Sequence, residues 1–311
     1  MDRGRTAYPT RDSAPSHGGA PPAVRLLVVT AHRELHASRR LAEAAAALGV
    51  PLEFVAPDPW WRRGVAPRAF RSAPADVRAV ARPGPFTLVA VLRTVRRLAC
   101  AGVAIAQTRR ALLDACDQWR SLRRLAAAGI AVPATRLVRR PDELAAALAE
   151  VPGPSWFVKG RRGSQGSQVR LAVDRAEAAR WAGLFWGIGA SLLVQEDLRG
   201  RGPVERHLVV GGAVVASAVA LPARGEFRTN AHCGGRFVEI AAGARGRSAE
   251  LAVRATRAVG LPFAAIDVIG GDAPRVLDVN ASPGLEALEA ATRRDLATPI
   301  VAALSGATAR A

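Results

Sequence analysis

Apolar residues fall in short blocks separated by polar, glycine- and proline-containing stretches, and the period within each block predicts its form. The unbroken run VRLLVV (24–29) predicts a strand of the buried type, and residues 33–48, with Leu35, Leu41 and Ala45 on one stripe, predict a helix. LEFV (52–55) predicts a second strand before a turn at Asp58-Pro59, so strand, helix and strand make a βαβ unit and a parallel sheet. Residues 60–85, with Trp60-Trp61, many arginines and Pro83-Gly84-Pro85, are loop-rich and hard to assign; a helix over 86–100 and a short apolar piece at 102–106 follow. A helix is expected over 109–128, stopped by Gly129 with Pro133 beyond. Another is expected over 141–151, with Pro141 suited to its first turn.

Farther on the period shortens. WFVKG (156–160) and QVRLAV (168–173) predict strands flanking a polar glycine loop, and 175–187 predicts a helix. SLLVQEDL (191–198), RHLVVGG (206–212) and AVVASAVAL (213–221) predict strands, the last two joined as a hairpin at Gly211-Gly212. After a helix over 247–259, FAAIDVIG (263–270) and RVLDVNAS (275–282) predict a hairpin, and Pro283 opens a closing helix. The order is α/β followed by α+β, with no internal repeat. Residues 1–22, rich in Pro, Gly, Ser and Arg and without periodicity, are expected to be a disordered tail.

Composition narrows the class. A chain of 311 residues, half of them apolar and 23% charged, suits about two globular domains. No apolar run approaches the ~18 residues of a membrane span, and the polar start has no apolar core of a secretory signal. The three cysteines lie far apart with no CxxC, which fits a reducing, cytoplasmic setting. Secreted, membrane-spanning, collagenous and wholly disordered classes are therefore set aside. The net charge of +18 favours polyanionic partners such as RNA, the ribosome, nucleotides or acidic peptides. Only one of the 44 basic residues is lysine, however, and asparagine occurs twice, a bias that GC-rich coding also produces. Charge alone thus selects no partner, while Lys159, Asn230 and Asn280 stand out as exceptions to the chain's habit.

Those exceptions sit in the stretches that can carry chemistry. Asp267 interrupts an apolar strand; Asp278 and Asn280, two apart, share a face of the next one. Three oxygen donors on paired strands suit Mg²⁺ or Mn²⁺ rather than Zn²⁺. The plainer reading makes Asp278 and Asn280 exposed-face polar residues and Asp267 a turn-proximal accident. Lys159 ends a strand before Gly160–Gly166 (GRRGSQG), a loop able to fold backbone N–H groups over phosphate oxygens beside a point charge. It is neither a Walker A motif nor the dinucleotide fingerprint, and a plain hairpin loop is the alternative. GEFRTNAHCGG (225–235) brings together Arg228, whose planar fork suits phosphate or carboxylate, with Asn230 and His232, the last favoured as a structural hydrogen-bonder. No Ser-His-Asp or Cys-His arrangement suggests a protein nucleophile.

In order, DQWRSLRRLAAAGIAVPAT (117–135), FVKGRRGSQGSQV (157–169), LVQEDL (193–198), GEFRTNAHCGG (225–235), AIDV (265–268) and LDVNASPGLEALE (277–289) resemble the ATP-grasp ligases, specifically the RimK-like alpha-L-glutamate ligases. The resemblance covers roughly 110–300. It implies an α/β N-terminal domain (23–108) before an α+β ATP-grasp domain (109–305), whose central lobe (about 120–192) and C-terminal lobe (193–305) clasp ATP. Lys159 and Arg228 would act in catalysis. The nucleotide would meet Lys159, Gly163, Ser164, Gln165, Gly166, Gln195, Glu196, Asp197, Leu198, Glu205, Arg206, Arg228, Thr229 and Asn230, with the adenine at the Glu196-Asp197 hinge. Asp267, Asp278 and Asn280 would hold two Mg²⁺ or Mn²⁺ ions.

The implied reaction activates a carboxylate with the γ-phosphoryl group; an amine then attacks the acyl phosphate, giving an amide, ADP and phosphate. Positioning and charge neutralisation can supply such catalysis without a nucleophile. The implied substrates are an amino acid, glutamate favoured, and a carboxylate acceptor: a protein C-terminus, ribosomal proteins included, a peptide or a small molecule. Nothing in the sequence speaks against an oligomer. Four positions depart from the family pattern. Gln118 stands where a phosphate-binding lysine is usual, and Val204 and Glu205 where an acidic ribose contact is usual, with Glu205 the stand-in. Asp278 replaces a metal-bridging glutamate, and Cys233 an arginine. Two further functions compete: an ATP-binding module that has lost turnover, and an arginine-rich RNA-binding protein.

Overall fold

The computed structural model describes residues 24–57, 76–84, 86–163, 168–230 and 233–307, and three sheets organise them. The first is parallel, in the order β2 (Leu52–Val55), β1 (Arg25–Val29), β3 (Val77–Ala81), β4 (Ala104–Ile105). Leu26 and Val28 pack with Leu41, Ala44 and Ala45 of α1 (His36–Ala47). Leu27 and Val29 pack with Val91, Val95 and Leu98 of α2 (Leu88–Cys100). Burial on both faces is why β1 reads as an unbroken apolar run. Two expectations change here. Leu35 lies at the N-cap of α1, 56% exposed, so Ala44 joins Leu41 and Ala45 on the stripe instead. The loop-rich stretch that resisted assignment contains β3, whose small Ala79 and Ala81 and preceding Arg78 hide a fully paired strand. The turn expected at Asp58-Pro59 lies outside the described residues.

The helix expected over 109–128 is two helices, α3 (Arg109–Ala115) and α4 (Gln118–Ala127). Asp117 breaks them: its carboxylate accepts the Arg120 N–H at 3.1 Å and caps α4. Apolar periodicity runs across the break and conceals it. Gly129, at φ +66°, ends α4 as expected.

The second sheet is antiparallel, in the order β5 (Thr135–Val138), β8 (Leu192–Glu196), β6 (Trp156–Gly160), β7 (Val169–Ala172). Trp156, Val158 and Val194 face α5 (Leu144–Glu150) and α6 (Arg175–Gly187), in a core with Leu148, Ala178 and Phe185. Phe157, Lys159 and Gln195 therefore point from the opposite face.

The third sheet, also antiparallel, runs β11 (Arg236–Glu239), β10 (Ala213–Leu221), β9 (Val204–Val210), β12 (Phe263–Ile269), β13 (Arg275–Asn280). One face, with Val209, Ile266, Val268, Val276 and Val279, packs on α7 (Gly246–Val259). On the other face Leu208, Val210 and Phe263 pack with α8 (Glu286–Thr292), α9 (Ala297–Ser305) and, from the first sheet, Leu26 and Val28. Pro283 does not open the closing helix; α8 starts three residues later, and the Pro283 carbonyl accepts from Arg82 Nη2 at 2.9 Å. Strands β5 and β11 were not expected, being four residues each with an arginine inside.

Phe263, 1% exposed, sits in the core that joins the first and third sheets. Phe263→Ala should cost about 3–5 kcal/mol through lost burial and the cavity left behind, read as a lower urea midpoint. A fall under about 1 kcal/mol would show that this core does not couple the sheets.

Candidate active site

The register of three strands sets the site. β12 pairs Asp267 with Arg206 of β9 on one side and with Asp278 of β13 on the other, so the three side chains stand abreast on one face. A β-bulge at Leu277 turns both Val276 and Val279 toward α7 and leaves Asp278 and Asn280 on the Asp267 face. Arg206 grips Asp267 with two bonds, Nε to Oδ1 at 2.6 Å and Nη2 to Oδ2 at 2.7 Å. Burial works against the Arg206 charge, but Asp267 outweighs it and keeps the guanidinium firmly protonated. Asp278 has no such grip: burial, and then the charge of Asp267, pushes its carboxyl up to about 6. The Asn280 side-chain oxygen accepts the Ser282 N–H at 2.9 Å.

Lys159 comes to this row from the second sheet. Burial lowers its ammonium to about 8, while Asp278 and Asp267 pull the other way, so it lies within electrostatic reach of both carboxylates. Its Nζ donates to Gln195 Oε1 at 2.5 Å, and Gln195 Nε2 donates to Thr135 Oγ1 at 3.0 Å. The Phe157 ring, two residues before Lys159, lies 5.6 Å from the Phe227 ring. That contact lays the segment with Arg228, Thr229 and Asn230 against the Lys159 face. Arg228 is paired with Glu226 at 2.5 Å, and this pairing, led by the side-chain bond, holds Glu226 down at about 2. Gly235 is required there: a Cβ would lie 2.3 Å from the Thr229 carbonyl oxygen.

Other expected residues divide. Gly163 lies within the glycine loop; Ser164, Gln165, Gly166 and His232 lie outside the described residues. Gln118 Nε2 donates to the carbonyl of the bulge residue Leu277 at 3.4 Å, and its N–H donates to the Arg161 carbonyl. Glu196 accepts from the Ala134 N–H at 3.1 Å and from Arg275 Nη1 at 2.6 Å, tying the second sheet to the third. Asp197 is bound to Arg199 and Ser155, and Leu198 is buried. Glu205 is not brought to the row. It bonds Ser248 and lies 3.3 Å from buried His207 on the α7 face. The cause is strand alternation: once Arg206 faces Asp267, its neighbour Glu205 must face away.

Sequence reasoning missed Arg275, because one more arginine carries no signal in an arginine-rich chain. It also missed that Arg161 and Arg162 of the glycine loop reach Asp117, at 2.8 and 3.5 Å, beside Gln118. Cys116 is a third neighbour. Burial, then the Asp278 charge, pushes its thiol up to about 11, a protonated and unreactive state.

Among the described residues no group of three or more His, Cys, Asp and Glu forms a metal cluster. Two carboxylates and an amide on one face are nevertheless an all-oxygen set of the kind Mg²⁺ or Mn²⁺ prefers. Burial first, and then the neighbouring Asp267 charge, push the Asp278 carboxyl up, a push that a bound cation would oppose. The residues fit such an ion, with Asp278 its natural anchor.

Two antiparallel sheets that meet through Lys159, the Asp267–Asp278 row and the Glu196–Arg275 pair define an ATP-grasp protein. The RimK-like ATP-grasp domain model matches residues 115–304. The chain belongs to the RimK-like ATP-grasp family and is thereby an enzyme of the ATP-grasp ligase class. It is 31% identical over 286 residues to a probable alpha-L-glutamate ligase 1 of Shewanella amazonensis, spanning 90% of this chain and 94% of the relative. The crystal structure of a RimK domain ATP-grasp protein from Sphaerobacter thermophilus matches with a TM-score of 0.67 at 23% identity, over 90% of this chain and 99% of that one. The ATP-grasp ligase PsnB, complexed with a phosphomimetic variant of its minimal precursor, Mg and ADP, matches with a TM-score of 0.65 at 20% identity, over 92% and 99%. Among the described residues no helix is long and apolar enough to cross a membrane.

The Asp278 carboxyl, at about 6 against an ordinary 3.8, contributes stability that is full below pH 3.8 and lost as pH rises through 6. Above that window its buried charge costs on the order of 3 kcal/mol. Asp278→Asn removes the charge at nearly constant volume. The metal-free variant should therefore melt higher than the parent at pH 8 and alike at pH 4, while Mg²⁺ raises only the parent's melting temperature. An equal Mg²⁺ response in both proteins would sink the assignment of Asp278 as anchor.

Proposed function

We propose that this chain is an ATP-dependent carboxylate–amine ligase that adds an amino acid, glutamate favoured, to a carboxylate acceptor in the cytoplasm. The observation that carries the reading is Lys159 from one sheet held in the field of Asp267 and Asp278 from the other. A triphosphate needs such an arrangement, a cation on one side and a divalent ion held by carboxylates on the other. Asp267, Asp278 and Asn280 would hold two Mg²⁺ or Mn²⁺ ions, which when bound neutralise charge on the transferring phosphoryl group. Lys159 would meet phosphate oxygens, Arg206 would hold the Asp267 carboxylate in position through its two bonds, and Arg228 with Thr229 and Asn230 would hold phosphate and substrate. Because the side chains of Glu196 and Asp197 are spent on Arg275 and Arg199, recognition of an adenine there falls to the backbone. The domains proposed are 23–108, preceding the ATP-grasp domain, and 109–305, the ATP-grasp domain itself. The names of the Shewanella relative and of the PsnB complex support the amino acid, nucleotide and metal assignments without fixing the acceptor.

A second reading, an ATP-binding module without turnover, draws on one observation: neutral Gln118 is bonded to the bulge carbonyl beneath the metal row. The test separates the two. ADP release by the purified chain with Mg-ATP should rise with glutamate and an acidic peptide acceptor, and mass analysis should show a new amide bond. ATP binding without ADP under any amino acid or acceptor would favour the inert module. Lys159→Ala should lower kcat/KM for ATP by about 10²-fold, as removal of one transition-state donor does. Unchanged turnover and nucleotide affinity in that variant would remove Lys159 from the phosphate role.

A further inference from the structure

Among the described residues Arg82 is a buried cation without an anion. It follows the last residue of β3, at the carboxyl edge of the parallel sheet, and is only 7% exposed. Its backbone is pinned: the Arg82 N–H donates to the Val29 carbonyl, and the side chain of fully buried Gln107 bonds both the N–H and the carbonyl of Ala81. Its Nη2 donates to the Pro283 carbonyl at 2.9 Å, but buried Nη1 has no hydrogen-bond partner. Among the described residues no carboxylate lies within ion-pair distance of it, and burial alone pulls it down to about 10. A second orphan lies next door: the Oγ of Ser282, adjacent to Pro283, is also buried and unbonded. Ser282 follows the metal strand by two residues, and its N–H bonds Asn280.

An unpaired buried guanidinium is costly, and a neighbouring unpaired hydroxyl adds to the cost; both are relieved by one planar acceptor. The fork of an arginine matches a carboxylate in shape and charge. The carboxyl edge of a parallel α/β sheet is also where small ligands commonly lie. In the ligase reading, on which this inference rests, an amino acid attacks through its amine, so its own carboxylates do not react and need a cation elsewhere. We propose that Arg82 and Ser282 form a carboxylate subsite that holds a non-reacting carboxylate of the amino acid substrate beside the metal strand. Nη1 is covered in this conformation, so filling the subsite requires Arg82 and the Ser282-Pro283 segment to part.

The test is calorimetric binding of L-glutamate to the full chain loaded with Mg²⁺ and ADP. Arg82→Met should weaken glutamate binding at least tenfold and leave ADP binding unchanged. Its melting temperature without glutamate should hold or rise, because an unpaired buried charge is gone; a merely structural arginine would instead lower it. Ser282→Ala should weaken glutamate binding several-fold, and Arg82→Lys, which keeps charge but loses the fork, should fall between. Should Arg82→Met fail to fold, the latter two variants decide. Unchanged glutamate affinity in folded variants overturns the subsite, as does weakened binding of an acidic acceptor peptide with glutamate binding intact. The parent chain separates this from failure of the ligase reading. ADP formation with glutamate but no effect of Arg82 defeats the subsite alone, whereas no glutamate binding and no ADP in the parent defeat both.

Discussion

Arg206, Asp267 and Asp278 stand abreast on three neighbouring strands, and the site is arranged around the charge that this row leaves unbalanced. One guanidinium faces two carboxylates and grips only Asp267, with two of its nitrogens. Asp278 is left in a desolvated place beside a like charge and is pushed toward protonation. Within the third sheet the Arg206 charge and a backbone hydrogen bond at Val279 oppose that push without overcoming it. Further balancing charge comes from outside it, from Lys159 of the second sheet, and in the proposed function from a divalent ion. The closeness of the sheets is thus an electrostatic matter as much as a packing one, reinforced by the Glu196–Arg275 pair and the Phe157–Phe227 contact.

Strand register does what no single motif could. A one-residue slip between β9 and β12 would pair Asp267 with a residue of opposite facing and carry Arg206 to the α7 side. The apolar half of the same face resists that slip, since Leu208, Val210 and Phe263 are buried against α8, α9 and the first sheet. Core packing at one end of β9 and β12 therefore fixes polar geometry at the other. The bulge at Leu277 is the local adjustment that lets β13 satisfy both demands, burying Val276 and Val279 while presenting Asp278 and Asn280.

How much of this was legible follows the same physics. Strands with clean patterns, such as 52–55, 156–160 and 213–221, and the helix at 175–187 stand where periodicity put them. Small or arginine-bearing strands escaped: β3 hides behind alanines, and β5 and β11 are too short for a period to show. The break at Asp117 escaped because a cap leaves no trace in an apolar stripe. Within the site, Lys159, Asp267, Asp278 and Asn280 were readable as exceptions, a lone lysine and carboxylates inside apolar strands. Arg275, Arg161 and Arg162 were not, because composition erases the signal of an arginine here. Glu205 was misplaced for a different reason: nearness in sequence to Arg206 implies the opposite face, a constraint that alternation imposes and motif likeness ignores.

The abundance of arginine also changes how the site can be built. Lysine, a flexible point charge, is used once, where the partners are buried carboxylates and a phosphate is expected. Where a second lysine is usual in the family, Gln118 stands and makes a neutral bond to the bulge, while Arg161 and Arg162 come back from the glycine loop to Asp117. Arginine's planar fork reaches from a neighbouring loop rather than from the strand below, so positive charge stays near the position even though the residue there is neutral. The two cations and the capped Asp117 then link the glycine loop to the start of α4. In that arrangement the positive charge near position 118 is carried by Arg161 and Arg162, and the bulge carbonyl accepts from the neutral Gln118 amide.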